Sequence, residues 1–150
     1  MRAKELIIES EKIYYHGSSV DLPVGTILSP RDTYEDNWAS TDFYTILELY
    51  RPPNMLSHKQ AVFMCENDED VDLAGGATDW LFTVKANGPV QKHDMNWSSE
   101  ISMLISDGYD EDSPEVEEAA NNYWSGIPHS SEQVWEYLTP SATILSVEEY

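Results

Sequence analysis

The sequence predicts one α+β domain, and three observations carry that expectation. The chain has 150 residues, the length of one ordinary domain. Its hydrophobic content of 41% can fill a core of that size. Short apolar runs of strand character are mixed with short stretches of helical spacing and separated by polar loops, the pattern of an α+β arrangement. Five Trp, nine Tyr and three Phe are more aromatic material than a disordered acidic chain carries.

Each element has a local reason. Ala3 to Lys12 mixes Leu6, Ile7 and Ile8 with charges and fits either a short helix or a first strand. Ile13-Tyr14-Tyr15-His16 has strand composition. Pro23 to Leu28 reads as a turn and a short strand stopped by Pro30, and Arg31 to Ser40 as a polar loop. Phe43, Ile46, Leu47 and Tyr50 fall on one face of a helix over Thr41–Tyr50, ended by Arg51-Pro52-Pro53-Asn54. Gln60 to Cys65 is an apolar run suited to a buried strand. Asn67 then caps an acidic first turn of a helix over Asp68–Leu73, closed by Gly75-Gly76. Asp79 to Lys85 predicts a strand and Asn87-Gly88-Pro89 a turn. Asn96 or Ser98 supplies a capping-box start to a helix through Ile101–Ile105. After a loop over Gly108–Asp112, Ser113-Pro114-Glu115 begins a helix that runs to about Trp124 and stops at Gly126. Gln133–Leu138 and Thr143–Val147 read as strands hinged at Thr139-Pro140-Ser141. No internal repeat is present.

The charge is lopsided: 8 Lys+Arg against 28 Asp+Glu, a formal net charge of −20. Such a surface repels nucleic acid and anionic membrane and attracts a basic partner, when it is more than a solvated face. The single cysteine, Cys65, excludes an intramolecular disulfide and a multi-cysteine zinc site and fits a reducing cytoplasm. Neither a signal peptide nor a membrane-spanning run is expected. The sequence also lacks a Gly-x-Ser-x-Gly elbow and a phosphate-binding P-loop. His58, His93 and His129 have no metal-ligand spacing and read as surface or loop residues.

The chemically suggestive stretch is Tyr14-Tyr15-His16-Gly17-Ser18-Ser19, followed by Asp21-Leu22-Pro23-Val24-Gly25-Thr26. A histidine beside a glycine sets an imidazole next to bare backbone, which suits a planar polar ligand; the same pair also fits a plain strand end and turn. Two further pieces follow in order. One is Ala61-Val62-Phe63-Met64 with Asp68 to Val71 and Gly75-Gly76. The other is Glu132-Gln133-Val134-Trp135-Glu136-Tyr137-Leu138-Thr139-Pro140. This order resembles the ADP-ribosyltransferase superfamily. The nearest likeness is to the small rifamycin-type and phage anti-CRISPR members, through the first piece, Ala61-Val62-Phe63, and Val84 to Val90 followed by Asp94.

The resemblance implies a split β-sheet core that holds NAD as substrate, with no metal. His16 would hydrogen-bond a ribose hydroxyl or the adenylate portion. The backbone of Gly17, next to Ser18, would hold the nicotinamide carboxamide. Phe63 or Tyr15 would stack on the ring, and Arg31 would reach the diphosphate. Asp94 or Glu136 would stabilise the cationic ribosyl transition state, with Glu132 and Gln133 as further candidates. As plain structure, Asp94 fits a solvated loop, Glu136 a half-exposed strand and Phe63 a core position. Strand alternation groups Glu132, Val134 and Glu136 on one face. Phe63 replaces the more common tyrosine. Val134 stands where arginine-directed members carry glutamine or an acidic residue, so the likeness does not extend to arginine as acceptor. The implied activity is mono-ADP-ribosyl transfer to an acceptor, a basic protein such as a nucleic-acid-binding complex, in a phage counter-defence role. A non-enzymatic acidic inhibitor that mimics nucleic acid, a drug-modifying transferase and an NAD glycohydrolase toxin are the alternatives.

Overall fold

In a computed structural model, residues 12–30, 42–69 and 79–149 are described. Among them lie seven strands and three α-helices in a mixed α+β arrangement. In chain order these are β1 (Ile13–Ser18), β2 (Ile27–Leu28), α1 (Asp42–Leu49), a 3-10 turn (His58–Gln60), β3 (Val62–Met64), β4 (Trp80–Ala86), β5 (Gln91–Asp94), α2 (Asn96–Ser106), α3 (Pro114–Trp124), β6 (Trp135–Thr139) and β7 (Ala142–Glu149). Arg31 and the loop around it, nearly all of the stretch before β1, and most of the Asp68–Leu73 segment with Gly75-Gly76 lie outside the described residues. Of that segment, Asp68 and Glu69 form a turn.

The strands form two antiparallel sheets, ordered β1-β4-β7-β2 and β3-β6-β5. The two strands expected to be hinged at Pro140 therefore belong to different sheets. The turn is a corner that carries the chain from one sheet to the other. Tyr14, Leu28, Val62, Met64, Phe82, Val84, Tyr137 and Ile144 fill the space between them. A second core joins the helices through Ile46, Leu47, Ile101, Val116, Ala120, Tyr123 and Trp124.

α3 follows its sequence signals closely. Ser113 caps it by accepting the Val116 N–H, Pro114 opens it, and Glu115 and Glu117 sit where the helix dipole favours acids. Its buried stripe, Val116, Ala119, Ala120, Tyr123 and Trp124, has helical spacing. The Trp124 indole N–H donates to the Leu47 carbonyl at 2.8 Å and ties α3 to α1. α2 begins differently from expectation. Its cap residue is Met95, and neither Asn96 nor Ser98 caps it; the Asp94 carboxylate accepts the Asn96 N–H instead. β5 was not foreseen, because Gln91-Lys92-His93-Asp94 is polar throughout and carries no apolar alternation.

Gly126 ends α3 at φ +71°, and a Cβ there would meet the Lys92 carbonyl oxygen at 3.3 Å. Gly126→Ala is expected to cost about 1–2 kcal/mol, from the left-handed backbone and that crowding. Urea unfolding of the variant against the native chain measures it.

Candidate functional site

The two sheets meet where β1 runs beside β3. Tyr15 and Cys65 exchange backbone hydrogen bonds of 2.8 and 2.9 Å. Continued one step, an antiparallel ladder would pair Gly17 with Phe63. It does not. The His16 ring takes the Phe63 carbonyl instead, donating from Nδ1 at 2.7 Å. A carbonyl only accepts, so Nδ1 carries the proton and Nε2 is left as an acceptor. Burial lowers the pKa of His16, so the ring is neutral near pH 7. Phe82 flanks it with ring centroids 6.1 Å apart.

Gly17 is freed by the same event. In an unbroken antiparallel register its N–H and C=O point to the same side as those of Tyr15, toward β3 and away from β4. Among the described residues the ladder between β1 and β3 is the single Tyr15–Cys65 bridge and does not continue at Gly17. The fork thus brings together a donor, an acceptor and an imidazole acceptor, with no side chain at Gly17 to obstruct approach. Ser18 does not contribute, since its hydroxyl is held in a local turn with Val20 N–H and C=O. Tyr15 packs on Cys65 and Leu81 at the junction. The Phe63 ring, by contrast, is core, packed with Ala61, Leu138 and Leu56 and 5.9 Å from the His58 ring.

The carboxylates are not alike. Asp94 is no solvated loop residue. It ends β5, is fully buried, and accepts three backbone N–H groups, from Asn96 (3.0 Å) and Val134 (3.2 Å) on Oδ1 and from His129 (2.9 Å) on Oδ2. Both oxygens are thereby used in stitching β5, α2 and the approach to β6. Glu132 and Gln133 precede β6, so alternation does not extend to them. They are exposed and line an open groove of about 590 Å³ with Glu100, His129 and Met103.

Glu136 is also fully buried rather than half-exposed. It lies opposite His93 across β5 and β6. Tyr137 points into the core between the sheets against Tyr14, so Glu136 points to the other face. In the β3–β6 register, one further step brings Cys65 level with Glu136, so Glu136, Cys65 and Tyr15 stand in one row across three strands. At the usual strand spacing the Glu136 and Tyr15 backbones are about 10 Å apart.

His58 and His93, expected at the surface, are both fully buried around Tyr123. Glu48 Oε1 accepts the His58 backbone N–H and the Ser57 hydroxyl, each at 2.8 Å. Nδ1 of His58 lies 3.3 Å from that same oxygen, within ion-pair reach but off the line of a hydrogen bond. Nε2 of His58 is 2.7 Å from the Tyr123 hydroxyl, which is 3.0 Å from Glu136 Oε2. His93 donates from Nδ1 to the Tyr123 carbonyl at 2.7 Å and stacks on the Tyr123 ring. Burial pushes Glu136 up to about 7, opposed in part by the Tyr123 hydrogen bond, and pushes Tyr123 well above its ordinary range. Burial lowers His93 to about 4. Burial alone would raise Glu48, but hydrogen bonds from His58 and Ser57 outweigh it and hold the group at about 2. Sequence reasoning missed this cluster. The one available signal was Tyr123 on the apolar stripe of α3, where a buried hydroxyl needs a partner.

Among the described residues, no group of His, Cys, Asp and Glu has the arrangement of a metal site, and no helix is long and apolar enough to cross a membrane. No protein-family model and no curated protein matches the chain.

Two outcomes follow from these carboxylates. Asp94→Ala is expected to destabilise the fold by about 3 kcal/mol or more, since each hydrogen bond to a charged group contributes roughly 1.5–3 kcal/mol. Asp94→Asn recovers only part of that, because its amide nitrogen would face the His129 or the Asn96 and Val134 N–H groups; chemical denaturation measures both. Glu136 has a folded pKa of about 7 against an ordinary 4.5. The folded chain therefore holds the extra proton between those values, and its contribution to stability is lost as pH rises through about 7. Glu136→Gln removes that decline, and is expected to gain on the native chain by on the order of 3 kcal/mol between acid and neutral pH. Paired denaturation curves across that range test it.

Proposed function

We propose that this protein cleaves NAD at its nicotinamide–ribose bond and transfers ADP-ribose to an acceptor, with the fork between β1 and β3 as the cofactor cradle. What supports the reading most is the neutral His16 ring, turned onto the Phe63 carbonyl beside Gly17 at the point where the β1–β3 bridge stops. A carboxamide offers one donor and one acceptor, the complement of the Gly17 C=O and N–H. A neutral imidazole with a bare Nε2 accepts a ribose hydroxyl. Tyr15 lies on the same junction as a ring to flank nicotinamide. The Phe63 ring is engaged in the core, so its part is to supply the carbonyl that orients His16.

Of the two carboxylates first considered, Glu136 suits the transition state better than Asp94. Among the described residues its Oε1 has no hydrogen-bond partner, whereas both Asp94 oxygens are committed to backbone. Glu136 stands in the row of Tyr15, and its ionised carboxylate there would favour the ribosyl cation as nicotinamide departs neutral. The acidic surface favours a basic acceptor, such as a nucleic-acid-binding protein complex, and a counter-defence role in an infected bacterium is in keeping with that. Plain NAD hydrolysis and modification of a small drug are the same chemistry with another acceptor, and the mass of the product separates them.

A second reading has its own observation. Asp107, Asp110, Glu111, Asp112, Glu115, Glu117 and Glu118 are all exposed along one loop and the start of α3. As a non-enzymatic mimic of nucleic acid, the protein would act through these and not through the fork.

The test is nicotinamide release from NAD, with mass spectrometry of candidate acceptors for an added ADP-ribose. His16→Ala is expected to lower kcat/KM at least about tenfold, the equivalent of one lost hydrogen bond. Absence of calorimetric NAD uptake, or a His16→Ala protein with undiminished activity while charge reversals on the acidic loop abolish function, would assign the protein to the second reading.

A further inference from the structure

We infer that Glu48, His58, Tyr123 and Glu136 form one internal proton-transfer chain, in which a single proton rests either on Glu136 or on His58 and is passed between them through the Tyr123 hydroxyl. The geometry is continuous: 3.3 Å from Glu48 Oε1 to His58 Nδ1, 2.7 Å from His58 Nε2 to Tyr123 Oη, and 3.0 Å from Tyr123 Oη to Glu136 Oε2. His58, Tyr123 and Glu136 are fully buried, and Glu48, at the end of α1, is partly exposed.

Hydrogen-bond capacity limits the chain to two self-consistent states. The Glu48 carboxylate, at ion-pair distance from His58 Nδ1, favours a proton on that nitrogen in both. In the first state Glu136 is neutral. Its Oε2–H donates to Tyr123 Oη, and the Tyr123 O–H donates to His58 Nε2. In the second state the Glu136 O–H bond has broken and that proton has joined Tyr123 Oη. The original Tyr123 proton has moved to His58 Nε2, leaving a Glu136 carboxylate and a His58 imidazolium paired with Glu48. One O–H bond is lost at Glu136 and one N–H bond is formed at His58. Tyr123 ends with the same number of protons, and nothing is exchanged with solvent. A neutral His58 protonated only on Nε2 would set its Nδ1 lone pair against the Glu48 carboxylate, so that state is disfavoured.

The surroundings are consistent with this. The other titratable or charged groups facing the chain are Tyr44 on α1, Arg51 just beyond it, and His93 on β5. Arg51 is bonded to Glu48 Oε2 at 3.0 Å and helps to keep that end anionic. His93 has its Nδ1 proton on the Tyr123 carbonyl and, among the described residues, no hydrogen-bond partner at Nε2, so it takes no place in the chain. The raised pKa of Glu136, the pKa of His58 lowered by burial and the low one of Glu48 agree with a proton that rests mainly on Glu136, with the His58 imidazolium as the less populated state. His58 and Tyr123 are positioning residues that set the charge of Glu136 without touching a ligand. The transfer itself does not depend on what the fork binds. Its use as a source of ionised Glu136 rests on the reading above.

The test is side-chain NMR on the full chain carrying ¹³C-glutamate and ¹⁵N-histidine, titrated from about pH 5 to about pH 9. Glu136 and His58 are expected to respond at one shared midpoint, as strongly coupled sites do. In Glu136→Gln, which keeps a hydrogen-bonding side chain but cannot release a proton, the His58 midpoint is expected to shift by about one pH unit or more. Tyr123→Phe is expected to split the two responses. A His58 titration in Glu136→Gln that overlays the native curve would overturn the chain, whether or not Tyr123→Phe folds. So would a native His58 that keeps one tautomer throughout while Glu136 titrates alone. These readouts need no NAD, so failure of the proposed activity leaves them decisive.

Discussion

The structure turns on one substitution of hydrogen-bond partners: the His16 imidazole takes a carbonyl that the backbone ladder would otherwise have used. Up to Tyr15 and Cys65, β1 and β3 behave as neighbours in one sheet. At the next position the ring intervenes, and the strands part. The exchange is close to neutral for Phe63, whose carbonyl keeps a partner. Gly17 is buried, and among the described residues the β1–β3 pairing does not extend to it. A buried peptide group without a partner costs roughly 1–3 kcal/mol. A ligand that offers one donor and one acceptor in a plane would recover that cost, which is why the fork carries the proposal of a carboxamide ligand.

The second sheet poses the opposite problem. A sheet covered on both faces ordinarily reads as apolar throughout. Here its strands carry His93, Asp94, Glu136 and Thr139 into the interior. The helix layer makes this tolerable. Tyr123 meets His93 with its carbonyl and Glu136 with its hydroxyl, and the same residue sits on the apolar stripe that packs α3 with α2 and α1. One side chain thus fixes both the apolar docking of α3 and its polar register over β5 and β6. A shift of α3 by a single residue would keep apolar contact somewhere along the stripe but would strand two buried polar groups. Polar contacts select the register that apolar packing alone leaves loose.

Local structure was legible where a residue's own neighbours decide its conformation. α3 announced its cap, its proline, its stripe and its terminal glycine. β1, β3 and β4 announced themselves by short β-branched and aromatic runs, and His16-Gly17 stood out as an imidazole beside bare backbone. What stayed hidden depends on partners distant in sequence. β5 is a strand because β6 pairs with it, not because Gln-Lys-His-Asp favours extension. Pro140-Ser141 reads as an ordinary hairpin turn, and only the separate pairing of β6 with β3 and of β7 with β4 makes it a corner between sheets. His58 and His93 looked superficial because polar side chains usually are, and the groups that satisfy them come from α1 and α3. The interruption at Gly17 was beyond reach for the same reason: the carbonyl that draws the imidazole aside lies 47 residues away.

Asp94 and Glu136 show how donor count, and not burial, decides what an interior carboxylate can do. Both are at most 1% exposed, and they lie on adjacent strands. Asp94 accepts three backbone N–H groups across its two oxygens, so both oxygens are engaged as acceptors. Glu136 faces one hydroxyl, which can donate or accept. Three fixed donors make a staple, whereas a single reversible partner leaves the charge of the group open to change. The hydroxyl of Tyr123 is in turn backed by a histidine, and the histidine by an acid near the surface. A buried glutamate with that line of reversible partners behind it is suited to a reaction in which negative charge is wanted only for part of the cycle, and a buried aspartate with three fixed donors is not.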